Sequence, residues 1–113
     1  MIFKIVQLAE WRAACRDGAF RGSAVDLSDG YIHLSTAHQV RATAAKHFKG
    51  QRDLVLVAID EDMLKPAIVW EPSRGGDLFP HLYGSLPTAR ALWERELTLD
   101  DDGNPVIPED VIR

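Results

Sequence analysis

The run Asp53-Leu-Val-Leu-Val-Ala-Ile-Asp60 constrains the fold more than any other stretch of the chain. Its apolar residues follow one another without a polar alternate and stop at an aspartate on each side, so the segment has strand length and no face fit for water. A central strand covered on both faces is the expectation. With 113 residues the chain has room for one such core and not two, and folding should bury roughly two-thirds of the surface that the unfolded chain exposes. Hydrophobic residues at 46% and charged residues at 27% are the proportions of an ordinary globular domain, well away from those of a disordered chain.

Other elements arrange themselves around that strand. Phe3 to Leu8 alternate loosely and read as a first strand; Leu8, Trp11, Ala14 and Cys15 then recur at helical spacing as a core-facing stripe until Gly18. The Gly-, Ser- and Asp-rich stretch from Asp17 to Gly30 reads as a loop. Tyr31 to Leu34 resembles a strand. Ser35 or Thr36 can cap a helix that runs to about Phe48, with Gln39 completing a capping box and Ala37, Val40, Ala44 and Phe48 forming the buried stripe. Ala67 to Glu71 makes another strand, stopped by Pro72, and Ser73 to Pro80 is a loop. The segments around Leu82 and from Arg90 to Leu99 are weaker strand or helix candidates. After the polar turn Asp100 to Pro105, a tail carrying Val106, Ile107 and Val111 either folds back over the body or frays. The whole predicts a single α+β domain over residues 1–113, its core in about 2–99: a small, strongly bent mixed or antiparallel sheet with two helices packed to one side.

Thirteen basic against seventeen acidic residues give a formal charge of -4, which offers no overall attraction to polyphosphate or to an anionic bilayer. Nucleic acid and membrane are therefore disfavoured as partners. The start Met-Ile-Phe-Lys-Ile-Val lacks the pattern of a secretory signal, no apolar run approaches the roughly 20 residues of a spanning helix, and the expected location is the cytoplasm. A lone Cys15 closes no internal disulfide, and no cysteine pair or carboxylate-histidine spacing predicts a metal site.

Three segments carry candidate chemistry. Strand alternation sets His33 on the face opposite Ile32 and Leu34, with Tyr31 and Ser35 beside it, where its imidazole could donate to a ribose or carbonyl oxygen or act as a base. The plainer alternative is a histidine at the core edge satisfied by a backbone group. In Ser73-Arg74-Gly75-Gly76 a guanidinium fork adjoins glycines that let backbone N–H groups approach a phosphate or carboxylate, unless the segment is a surface turn with Arg74 paired to Glu71 or Asp77. In Phe79-Pro-His-Leu-Tyr-Gly84, His81 and Tyr83 share one face of an extended segment and could clamp a planar ring or a sugar, or else belong to the core. Convergence of His33, Arg74 and His81 in one hollow would make a pocket.

Three motifs in order, Asp29-Gly-Tyr-Ile-His-Leu-Ser-Thr36, Trp70-Glu-Pro-Ser-Arg-Gly-Gly76 and Phe79-Pro-His-Leu-Tyr-Gly84, resemble the signature of domain of unknown function 952, from about Phe3 to about Leu97. That resemblance implies a fold similar to the ADP-ribosyltransferase group, whose split sheet holds NAD in a central cleft. By the same analogy His33 would contact a ribose, His81 or Tyr83 would support the nicotinamide, and Glu94-x-Glu96 is similar in position to a catalytic glutamate whose use here is not expected. The functional expectation is a nucleotide- or phosphate-ligand cleft, with NAD or ADP-ribose as the implied ligand and ADP-ribosyl transfer as the implied reaction. In it His33 and His81 are the candidate catalytic residues, and Ser35, Ser73, Arg74, Gly75, Gly76 and Tyr83 bind the ligand. The alternative is a non-catalytic module that holds a small anion or a partner's acidic segment.

Overall fold

In the computed structural model, residues 1–111 are described, the side chain of Arg74 apart. In chain order the elements are β1 (Ile2–Gln7), α1 (Leu8–Asp17), β2 (Ala19–Phe20), α2 (Ala24–Asp29), β3 (Ile32–His33), β4 (Ser35–Thr36), α3 (Ala37–His47), β5 (Leu54–Ile59), β6 (Ile68–Pro72), β7 (Leu78–Leu82), β8 (Leu86–Pro87) and β9 (Ala91–Leu97). The α+β class holds, but the strands form three antiparallel sheets where one bent sheet was expected: β4-β1-β5-β9, β3-β7-β6 and the pair β2-β8.

The apolar run of β5 is explained by its place. β5 lies between β1 and β9 with all six residues buried. Val55, Val57 and Ile59 enter a core with Trp11 of α1 and with Ile32, Leu34 and Leu82, while Leu54, Leu56 and Ala58 enter a second core with Val40 and Ala44 of α3. Alternate side chains of one strand thus feed two cores, and neither set can be polar. The two long helices consequently sit on opposite faces of the four-stranded sheet, which corrects the expectation that helices pack to one side. Ile107 and Val111 of the tail fold back into the second core.

Local signals account for the helix ends. Gly18 closes α1 in the left-handed region at φ 92°, donating its N–H to Ala14 C=O at 2.7 Å. At the start of α3, Gln39 reaches back to accept the Thr36 N–H at 3.0 Å. Two expectations fail here. Cys15 is exposed, because the buried stripe of α1 narrows to Trp11 and Ala14. The stretch read as a loop contains α2, a third helix whose N-terminal N–H, that of Ser23, bonds to the Asp26 carboxylate at 2.8 Å. Among the described residues no helix is long and apolar enough to cross a membrane.

One irregularity positions the site. β4 and β3 are consecutive in the chain, separated by Leu34, yet they belong to different sheets. β4 pairs with β1 at Ile2↔Thr36 and Phe3↔Ser35, whereas β3 swings to β7 at Ile32↔Leu82 and His33↔His81. Leu34 N–H follows it and donates to Pro80 C=O at 3.1 Å. Beyond Phe3 the β4 edge of β1 loses its strand partner, and a cleft opens between the sheets.

Candidate functional site

Asp26 stands in that split. Its carboxylate is 1% exposed and gathers the Ser23 N–H at 2.8 Å, the His33 N–H at 3.0 Å, the His33 Nδ1 at 2.6 Å, and the Lys4 Nζ at 2.9 and 3.1 Å from its two oxygens. Burial alone would raise its pKa, but the hydrogen bond from the His33 ring, the Lys4 charge, the His33 amide and the Lys4 hydrogen bond together outweigh it, and the carboxyl is held well below the ordinary value. Lys4, itself 4% exposed, is pulled below the usual lysine range by burial, with Asp26 acting in the opposite direction. The His33 N–H would otherwise point across to β1, so the Asp26 carboxylate replaces a ladder bond and keeps the sheet parted.

His33 and His81 are opposite residues of β3 and β7, with ring centroids 5.6 Å apart. They form a pair that does not exchange main-chain hydrogen bonds, the arrangement that brings cross-strand side chains closest. Each ring is held by carboxylate. His33 spans Asp26 through Nδ1, at 2.6 Å, and Asp29 through Nε2, at 2.9 Å. His81 is 3% exposed and places Nδ1 2.8 Å from Glu71 Oε1, an oxygen that also accepts the Tyr83 hydroxyl at 2.7 Å. The Tyr83 hydrogen bond, then that of His81, lowers the Glu71 pKa, and the same bond to Glu71 raises the Tyr83 phenol. Tyr31 stacks on His81 at 4.1 Å and lies 4.7 Å from His33 and 5.3 Å from Tyr83. Burial first, then Asp29 and Glu71, raises its phenol.

Both histidines open on a cleft of about 460 Å³, within the usual range of small-molecule sites. Its polar lining includes Asp29, His33, Ser35, His47, Ser73 and His81, and much of its apolar lining comes from Phe3, Ile5, Phe48 and Phe79. Ser35 donates to Thr43 Oγ1 at 3.3 Å across the floor. Of the residues singled out from sequence, His33, His81, Ser35 and Ser73 therefore meet in one hollow. Gly75 and Gly76 form a tight turn outside its lining, both at positive φ, and the Gly76 N–H donates to Ser73 C=O at 2.9 Å. Tyr83 sits behind the histidines on Glu71 and is 45% exposed. The Arg74 side chain lies outside the described residues. Among the described residues no group of three or more His, Cys, Asp or Glu side chains is arranged to hold a metal ion.

Sequence reading did not assign the supporting set: Lys4, Asp26 and Asp29 around His33, and Glu71 behind His81. One signal was present. A lysine inside Ile2-Phe-Lys-Ile-Val6 interrupts an apolar strand, and a charge in such a place calls for a buried partner.

Fold and site together define a small antiparallel α+β domain with a cleft lined by two carboxylate-held histidines. The chain belongs to the family described as Protein of unknown function (DUF952), which it matches over residues 5–94. It is similar over nearly its whole length to the protein CC0527 of Caulobacter crescentus. The crystal structure of that protein is 49% identical with a TM-score of 0.95, covering 97% of this chain and 96% of that one. Its solution structure is 52% identical with a TM-score of 0.83, covering 92% and 90%. No curated protein matches the chain.

Proposed function

We propose that the cleft binds a nucleotide-like ligand bearing ribose and phosphate, with NAD and ADP-ribose the first to test. The observation that carries this reading is the shared cleft: two carboxylate-held imidazoles together with aromatic and aliphatic side chains, in a volume of about 460 Å³. His33, His81 and Ser35 suit sugar hydroxyls, and the apolar lining suits a base. For the phosphate, the guanidinium that the sequence offers next to Ser73, that of Arg74, would be the partner. A sheet parted around a cleft agrees with the resemblance to the ADP-ribosyltransferase group, an analogy of fold that does not by itself carry an activity.

A reaction at this site would be transfer or removal of ADP-ribose. The Asp29 carboxylate in the cleft lining would stabilise positive charge developing on the ribose as the bond to nicotinamide breaks and one to water or an acceptor's nucleophile forms at the same carbon, while His33 and His81, the latter backed by Glu71, position the sugar. Calorimetric titration with NAD, ADP-ribose and inorganic phosphate tests the binding, and assay of free nicotinamide after incubation with NAD tests the turnover. Binding of ADP-ribose that is lost in His33→Ala supports the proposal. Absence of heat and of any thermal shift with all three ligands contradicts it. Binding without nicotinamide release would make the domain a ligand-holding module.

A further inference from the structure

Consecutive residues of an antiparallel strand turn their main-chain N–H and C=O alternately to the neighbour on one side and then the other. Leu8 N–H donates to Asp53 C=O at 2.8 Å, in continuation of the β1–β5 register that pairs Gln7 with Leu54. Ile2, Lys4 and Val6 therefore bond to β5, and Phe3, Ile5 and Gln7 face the opposite edge. There Phe3 meets Ser35 of β4. Carried on, the same register would set Ile5 against His33. That pair is not made, because β3 has turned to β7 and the His33 N–H is taken by Asp26. The hydrogen bonds of Asp26 go to Ser23, His33 and Lys4, and none goes to Ile5. Ile5 is 4% exposed and lines the cleft. On that register its N–H and C=O, in a residue that is buried as a whole, face the parted edge as a donor and an acceptor side by side.

A buried main-chain pair of this kind is costly to leave without partners. We propose that the Ile5 main chain reads the edge of a planar ring on which a donor adjoins an acceptor. The Ile5 N–H donates to the ring's acceptor, and the Ile5 C=O accepts from its donor. Adenine, with N1 beside the 6-amino group, has such an edge, and so does a ring carboxamide. An extended peptide would need a run of these pairs, whereas the described cleft lining includes Ile5 and not Gln7, so the geometry selects a single ring. Phe3, Phe48 and Phe79 supply apolar surface for it. The inference rests on the nucleotide reading above and assigns its ring-binding end.

Two ligand pairs distinguish the sources. Adenosine monophosphate is compared by calorimetry with its 6-dimethylamino analogue, and nicotinamide mononucleotide with the analogue carrying a carboxylate in place of the carboxamide; ribose 5-phosphate is the ring-free control. The expected result is a loss of at least about ten-fold in affinity within one pair, which also identifies the ring, since the altered edge leaves a buried main-chain group unmatched. In the same titrations the Ile5 amide resonance moves with the preferred nucleotide and stays in place with ribose 5-phosphate. Equal affinities within both pairs would overturn the Ile5 assignment while leaving the cleft reading intact. Absence of binding by all five compounds would overturn both.

Discussion

At the scale of single residues, the buried Asp26 carboxylate is where Lys4 and His33 meet. Removing one member of a buried ion pair leaves the other charge without compensation, which typically costs about 3–5 kcal/mol. Asp26→Ala is expected to destabilise the domain by about that amount in urea unfolding, and adding Lys4→Met should recover part of the loss. The folded-state pKa of Asp26 lies below its unfolded value. Its contribution is therefore complete above about pH 4 and fades as the pH falls from there toward the lower folded value. Acid unfolding of the wild type should show that slope, and Asp26→Asn should flatten it. Glu71 offers an independent check. Its hydrogen bond raises the Tyr83 phenol, so Glu71→Gln should bring one tyrosine titration back toward the ordinary value, as read by ultraviolet absorbance.

At the scale of elements, legibility followed the range of the forces involved. The β5 segment could be read because burial on both faces leaves its mark in consecutive residues. The Thr36 and Gln39 cap could be read because it closes within one turn. α2 could not: its six residues lie in a stretch rich in turn formers, and what holds it is Asp26 reaching β1 and β3, a contact the local sequence does not contain. Gln39 also donates to Leu78 C=O at 2.8 Å, tying the start of α3 to β7 beside the cleft. Gln39→Ala loses both bonds and should lower stability by about 1–2 kcal/mol in chemical denaturation. Gln39→Glu keeps the cap and should fall between.

At the scale of the whole molecule, the site is a consequence of a sheet that parts. Alternation along Tyr31 to Ser35 and along His81 to Tyr83 was enough to place each histidine on a face, but not to say that the two faces are one. That follows from the β3–β7 register, and the carboxylates behind each ring come from segments 7 and 10 residues away in the chain. The two cores pack against both faces of β1 and β5, so the cleft is bounded by that packing on one side and by the Lys4, Asp26 and His33 cluster on the other. The most direct measurement of the central claim is a titration of isotope-labelled protein with ADP-ribose, following the ring resonances of the histidines by nuclear magnetic resonance. The His33 and His81 signals should shift together and saturably, while that of His38, exposed on α3 away from the cleft lining, should stay in place. Rings of His33 and His81 that remain unmoved at saturating ligand, or a shift confined to His38, would contradict the claim.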